Sequence, residues 1–299
     1  MSVPSPIADL SYRNYDGPKS LSKWRWWAIA KSAIKINLKK KSFWPLFFFA
    51  CFPYILLVMQ QLFPREVMTA MSDRFSYSAM LSSAFGTWLW VFFIALMIGV
   101  GSIAADNAAN ALQIYLSKPI TKRDYVFGKW MGIFIPLYAV VFIPMFLSIG
   151  YSAFSEGVTE FVSANMRVMM AVFIVPAIPA ALHASLLVGI SAWNRTPWIA
   201  GIIYAGIVFF TNTAANLFAE IIGSDLDRQV QETISHLSID GVISGIGYGI
   251  IGAPPSGINF QGSLKEMPLI EPLIPIYLIL CMCGIWLGFK RIRAVEVVS

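Results

Sequence analysis

Between Arg74 and Asp106 the chain carries no Asp, Glu, Lys or Arg. It is one of several charge-free blocks longer than 20 residues, and about 20 apolar residues in a helix cross roughly 30 Å of hydrocarbon. The composition agrees. The 299 residues are 57% hydrophobic and 13% charged, against about 25% charged in an ordinary soluble domain. Charge this sparse cannot hide so much apolar surface in one globule, although length alone would permit one or two soluble domains. The sequence therefore predicts an all-α membrane protein of about six transmembrane helices, with an amphipathic helix before them and a protruding hairpin between spans two and three.

The charge-free blocks place the spans at 43–63, 79–105, 130–154, 169–192, 198–219 and 273–289. The basic residues choose the orientation. With the N-terminus inside, 17 of the 22 Lys and Arg fall on the cytoplasmic side, and Arg65, Arg74, Arg167, Arg228 and Lys265 outside. Such a bias marks the cytoplasmic face, and basic segments at both ends require an even number of spans. The expected organisation is a cytoplasmic segment 1–22, an interfacial helix 23–42, a transmembrane domain 43–289 and a cytoplasmic tail 290–299. Within the domain, 106–129 forms an inner loop and 220–272 an outer one. The expected location is the inner (plasma) membrane, multi-pass. The apolar block 241–253 is too short to span and ends at Pro254-Pro255, so it reads as an interfacial or re-entrant segment outside.

The net charge of +6 is concentrated beside spans rather than along a groove for phosphates, which argues against nucleic acid. Cys51, Cys281 and Cys283 lie in apolar blocks without CxxC spacing, so neither a disulfide framework nor a metal site is expected. Residues 1–22 lack the apolar core of a signal peptide. In residues 23–41, KWRWWAIAKSAIKINLKKK, helical spacing lines up Lys31, Lys35 and Lys39 with Arg25 beside them. Trp26, Trp27, Ile29, Ala30, Ala33, Ile34, Ile36 and Leu38 spread over the other side; Trp24 does not fit. This describes a helix lying in the headgroup plane, either a plain anchor or an element that transmits motion to the first span.

Residues 104–132 read AADNAANALQIYLSKPITKRDYVFGKWMG. The second helix is expected to continue through 107–117 and stop at Lys118-Pro119, because proline disfavours helix before it and has no N–H to donate. Thr121 and Asp124 have capping-box spacing for the next helix. Gly128 and Gly132 form a GxxxG pair suited to close helix approach.

Within that stretch, residues 115–129, YLSKPITKRDYVFGK, resemble the loop after span two in permease subunits of type-2 ABC exporters. Residues 9–19, DLSYRNYDGPK, resemble the opening of many such permeases, and 290–298, KRIRAVEVV, their basic tail. The resemblance implies that the loop docks into a groove of a separate ATPase subunit, through Ala111, Leu112, Tyr115, Lys118, Pro119, Thr121, Lys122, Arg123 and Asp124. It also implies a homodimer or a heterodimer with a second permease chain. Family members often place a basic residue beside the acid preceding this loop, where this chain has Asp106-Asn107, so an ion pair there is left open.

No P-loop is present: the GK at Gly128-Lys129 has Arg123 where the first glycine is needed and Trp130 where Ser or Thr is. No cofactor is expected on this chain, and ATP would bind the partner subunit. Neither HExxH, GxSxG nor a catalytic acid pair occurs, so enzymatic activity is not expected. Polar residues within spans mark candidates for a substrate path: Asn212, Asn216 and Glu220 at i, i+4 spacing on span five, and His183 on span four. Interhelical hydrogen bonding is the structural alternative. Two other functions share parts of this pattern, an ion-coupled carrier and a membrane anchor relaying ATPase state to an outside partner. The first would need charged residues at mid-span, which the span centres lack.

Overall fold

The computed structural model describes residues 24–62, 77–85, 88–111, 120–221, 226–254 and 267–292; among them there are thirteen helices and no strand. Five stretches are long and apolar enough to cross a bilayer: Leu89–Ala108, Lys122–Glu156, Met166–Trp193, Pro197–Ile221 and Ile270–Arg291. α1 (Arg25–Leu38) and α2 (Phe43–Gln60), bent by 84° where they meet, together make a sixth candidate. The chain is an all-α, multi-pass membrane protein.

Within the charge-free run the described residues form α3 (Tyr77–Phe85), then α4 (Trp88–Gly99) and α5 (Gly101–Ala108), the last two together making the second stretch. This stretch does not continue through 107–117. It ends at Ala108, and Asn110 turns into the left-handed region at φ 50°, a conformation asparagine tolerates better than most residues.

The third span is the upper part of α6 (Lys122–Glu156), 35 residues long. After α7 (Val158–Ala164), α8 (Met166–Ile174) and α9 (Ala177–Trp193) form the fourth stretch around Pro176. The remaining stretches are α10 (Pro197–Ile221) and α13 (Ile270–Arg291). Most of the apolar core of the fourth stretch is buried, against about a fifth of that of α10 and α13, so α9 is the hub and those two lie at the periphery. Glycine makes the hub compact. A Cβ on Gly189 would sit 2.5 Å from the Gly284 carbonyl oxygen, so the backbones of α9 and α13 touch there.

Successive spans alternate direction. The end of α5 and the start of α6 therefore share one end of the bundle with α1 and the 194–196 turn. The far end carries α3, α7, α11 (Arg228–Ser235) and α12 (Ile239–Ile251). At 13 residues, α12 reaches about 20 Å and cannot span. The Ser238 hydroxyl accepts from Gly241 N at 2.9 Å to start it, and Gly252 at φ 92° ends it. Arg167 donates to the carbonyls of Gly249 and Ile250, covering its last turn. Nearly every α12 residue is buried. The block expected to be interfacial or re-entrant is thus a short helix enclosed by protein, its backbone satisfied internally.

Candidate functional site

The base of the hairpin is tied by one carboxylate. Asp106, near the end of α5, receives at Oδ2 both the Tyr125 hydroxyl and the Lys129 ammonium, each at 2.6 Å, from the first turns of α6. Lys129 also lies over the Tyr125 ring at 5.6 Å, and Tyr125 is completely buried. The end of α5 is thereby tied to the first turns of α6. The start of α6 is equally determined. The Thr121 hydroxyl accepts from Asp124 N, and the Asp124 carboxylate accepts from Thr121 N, both at 3.1 Å, forming a complete capping box.

Just below the clasp the second span is interrupted between Gly99 and Gly101. Ser191 of α9 stitches the break: its hydroxyl accepts from Ile103 N and Ala104 N and donates to Val100 O, at 2.8–3.0 Å. Lys40, in the corner between α1 and α2, donates to Met97 O at 2.7 Å, and burial holds its pKa below that of an ordinary lysine. Asn107 donates to the carbonyls of Ala192 and Asn194 at the end of α9. Backbone groups around the break are therefore taken up by α9 and by the α1–α2 corner, while Asn107 returns a bond to the end of α9.

Against this base lies α1. A Cβ on Gly128 would stand 2.7 Å from the Trp26 carbonyl oxygen, and one on Gly132 2.5 Å from Ala33 Cβ. The GxxxG pair thus brings α1, rather than another span, into backbone contact with α6. Ile29 and Ala30 are buried there, and Trp26 packs edge-on to Phe127 with centroids 4.9 Å apart. Trp27, Ile36 and Leu38 remain exposed, as does the Lys31 and Lys35 side. The helix thus has a basic side and a side packed on protein, with Trp27 and Leu38 exposed on one flank between them and Ile36 on the other.

Of the residues expected to dock, Thr121 and Arg123 are exposed, and Lys122, Asp124 and Ala111 are half-buried. Leu112, Tyr115, Lys118 and Pro119 lie outside the described residues. The expected polar strip on α10 divides. Asn212 Nδ2 donates to Oδ2 of buried Asp240 on α12 at 2.7 Å, Asn216 turns back onto the Asn212 carbonyl, and Glu220 is exposed. His183 sits apart from them, completely buried, with Nδ1 2.8 Å from the Tyr204 hydroxyl. Burial pushes the Asp240 carboxyl up to about 7, against the opposing pull of the Asn212 hydrogen bond. His236, buried in the turn before α12, is lowered by the same desolvation.

Asp106, Tyr125, Lys129, Ser191 and Asp240 were not read as site residues from the sequence. Only the Tyr125–Lys129 spacing, one helical turn, offered a signal. Among the described residues, no group of His, Cys, Asp and Glu could hold a metal ion.

Residues 27–276 match the family model described as ABC-2 family transporter protein. No curated protein matches the chain. A match over most of the chain, joined to a bundle of apolar helices with a capped hairpin after its second span, establishes that this protein belongs to the ABC-2 transporter family, as a multi-pass permease subunit.

Proposed function

We propose that this subunit forms the membrane path of an ATP-driven exporter and is energised by a separate ATPase that docks on the loop between α5 and α6. The observation that carries the reading is the clasp at the loop's base. Asp106, Tyr125 and Lys129 hold both limbs of the hairpin, so force applied at the tip reaches α6 and the rest of the second span together. The packing of α1 on the same part of α6 supports a transmitting role for that helix, beyond anchorage. The hairpin end and both termini are assigned to the cytoplasm of the cell's inner membrane by the basic residues gathered there. ATP binds the partner, and this chain itself holds no nucleotide. A second permease chain, identical or a sister, packs on the exposed apolar faces of α10 and α13.

The test is co-purification of the cognate ABC ATPase with a tagged permease. Reversing charge at Lys122 and Arg123 removes basic groups from the tip without touching the clasp. Recovery of the ATPase is expected to fall several-fold, and less so at high salt, where steering is screened. Undiminished recovery together with undiminished ATP-driven activity would show that this tip is merely solvated.

A further inference from the structure

The far end of the bundle holds a carboxyl that ATPase docking does not use. Asp240, in the first turn of α12, is 1% exposed. Its Oδ2 accepts the Asn212 amide, while Oδ1 is enclosed and has no hydrogen-bond partner. An ionised carboxylate in such a place is strongly disfavoured unless a cation or several donors face it.

The neighbouring elements supply neither among the described residues. Arg167 on α8 is committed to the carbonyls of Gly249 and Ile250, at the opposite end of α12. On α9, His183 is bonded to Tyr204 of α10, and Glu220 of α10 is exposed two turns beyond Asn212. The His236 ring meets the Glu232 carbonyl and the Ser235 hydroxyl, and packs edge-on to Tyr248. Tyr77 of α3 donates to Glu156, and Tyr277 of α13 to the Ile178 carbonyl; Glu271 lies in the first turn of α13. Two influences favour the charged form: the amide of Asn212 and the N-terminal end of α12.

We propose that Oδ1 of Asp240 is a proton-binding site of this transporter, with the Asn212 amide on Oδ2 as its fixed partner. Protonation removes the buried charge, and Asn212 on Oδ2 leaves Oδ1 to carry the proton. A small cavity lies near it, without reaching Asp240 or Asn212. Ile243, one turn along the same face of α12, lines a cavity of about 20 Å³ together with His183, Tyr54, Phe85, Val141 and Pro179. That is room for about one water molecule. Tyr204, Val208 and Asn212 follow at i, i+4 along α10, so the His183–Tyr204 pair and the Asn212–Asp240 pair lie on one inward line. Desolvation outweighs the Asn212 hydrogen bond and lifts the carboxyl to about 7, where ordinary changes of pH populate both forms.

Infrared spectroscopy of the full chain in lipid vesicles reads this site directly. The carbonyl band of a protonated carboxylic acid is expected to vanish as pH rises through about 7, and to be absent from Asp240→Asn at every pH. Asn212→Leu removes a donor that favours the carboxylate, so the midpoint is expected to move up by about one pH unit, a tenfold gain in proton affinity. Glu220→Gln should leave the band unchanged. A band that survives in Asp240→Asn, or a midpoint that falls or stays in Asn212→Leu, overturns the proposal. So does saturable sodium or potassium binding lost in Asp240→Asn with no titrating acid band, which would make the occupant a metal cation. Should Asp240→Asn fail to fold, the direction of the Asn212→Leu shift still decides. None of these outcomes bears on ATPase docking, which is tested separately at the other end of the bundle.

Discussion

A single oxygen, Oδ2 of Asp106, joins the two limbs of the hairpin. Both ionised partners are largely shielded, with side chains 18% and 11% exposed, so the pair is screened less than a surface salt bridge. Asp106→Ala leaves the Lys129 ammonium and the Tyr125 hydroxyl without their shared acceptor, and is expected to lower stability by about 2 kcal/mol. In a double-mutant cycle with Lys129→Met, thermal unfolding of the purified chain should show a coupling energy of about 1–3 kcal/mol. A cycle that sums to zero would mean that the two side chains act independently. Asp240 makes a further prediction with a definite sign. Its folded-state pKa of about 7 lies above the value of about 3.9 for an unfolded chain. Its contribution to stability is therefore fully present below about pH 4 and is lost as pH rises through about 7. Asp240→Asn should flatten that slope in a series of melting curves. Neither residue was legible in the sequence. Asp106 has Asn107 beside it, where a basic neighbour would have advertised a pair, and its true partner comes 23 residues later, after the loop. Asp240 sits among scattered acids in what reads as a polar loop, and only the fold carries it under span five.

The hairpin's elements were legible in part. Thr121-x-x-Asp124 announces the start of α6 because a capping box is written locally, within four residues. The end of α5 is not so written, since Asn110 in a left-handed turn looks like any polar residue in a helical run. The break at Gly99–Gly101 is still less visible, because the groups that mend it, Ser191 and Lys40, come from elsewhere in the chain. Ser191→Ala would leave Ile103 N–H and Ala104 N–H unsatisfied in a buried site, at an expected loss of about 1–3 kcal/mol. Ser163→Ala, on an exposed turn, should be neutral in the same melting assay. The GxxxG pair was legible as a device for close approach but not as to its partner, which is α1. Gly128→Leu drives a side chain into the Trp26 carbonyl and the Ile29 side chain, and is expected to detach α1 from α6. Limited proteolysis should then cut within residues 25–38 faster than in the wild type. Gly150→Ala, where an added Cβ meets nothing within 4 Å, should leave cleavage unchanged.

For the whole molecule, the alternation of spans and the distribution of charge give one orientation, and it can be tested at positions the structure leaves accessible. Hydrophobic blocks were readable because a bilayer imposes one length on every crossing helix. The far-end cap was not, because α12 is apolar for a different reason: burial in protein. The span count fixes only which residues share an end. Thr196, in the turn between α9 and α10, shares the hairpin's end with α1, while Ser163 on α7 and Gln229 on α11 are at the other; all three are exposed. Charge then decides which end is cytoplasmic. The expected topology puts 17 of the 22 Lys and Arg on the side of the 106–129 loop and five on the other, and an excess of Lys and Arg is retained on the cytoplasmic side during insertion. With Cys51, Cys281 and Cys283 replaced by serine or alanine, Ser163→Cys and Gln229→Cys should react with a membrane-impermeant maleimide on intact cells. Thr196→Cys should react only once the membrane is opened. The reverse pattern would put the 106–129 loop outside, beyond reach of any ATPase in the cytoplasm. Labelling of Ser163→Cys and Thr196→Cys from the same side would break the alternation, because α8 and α9 would then not cross the bilayer between them.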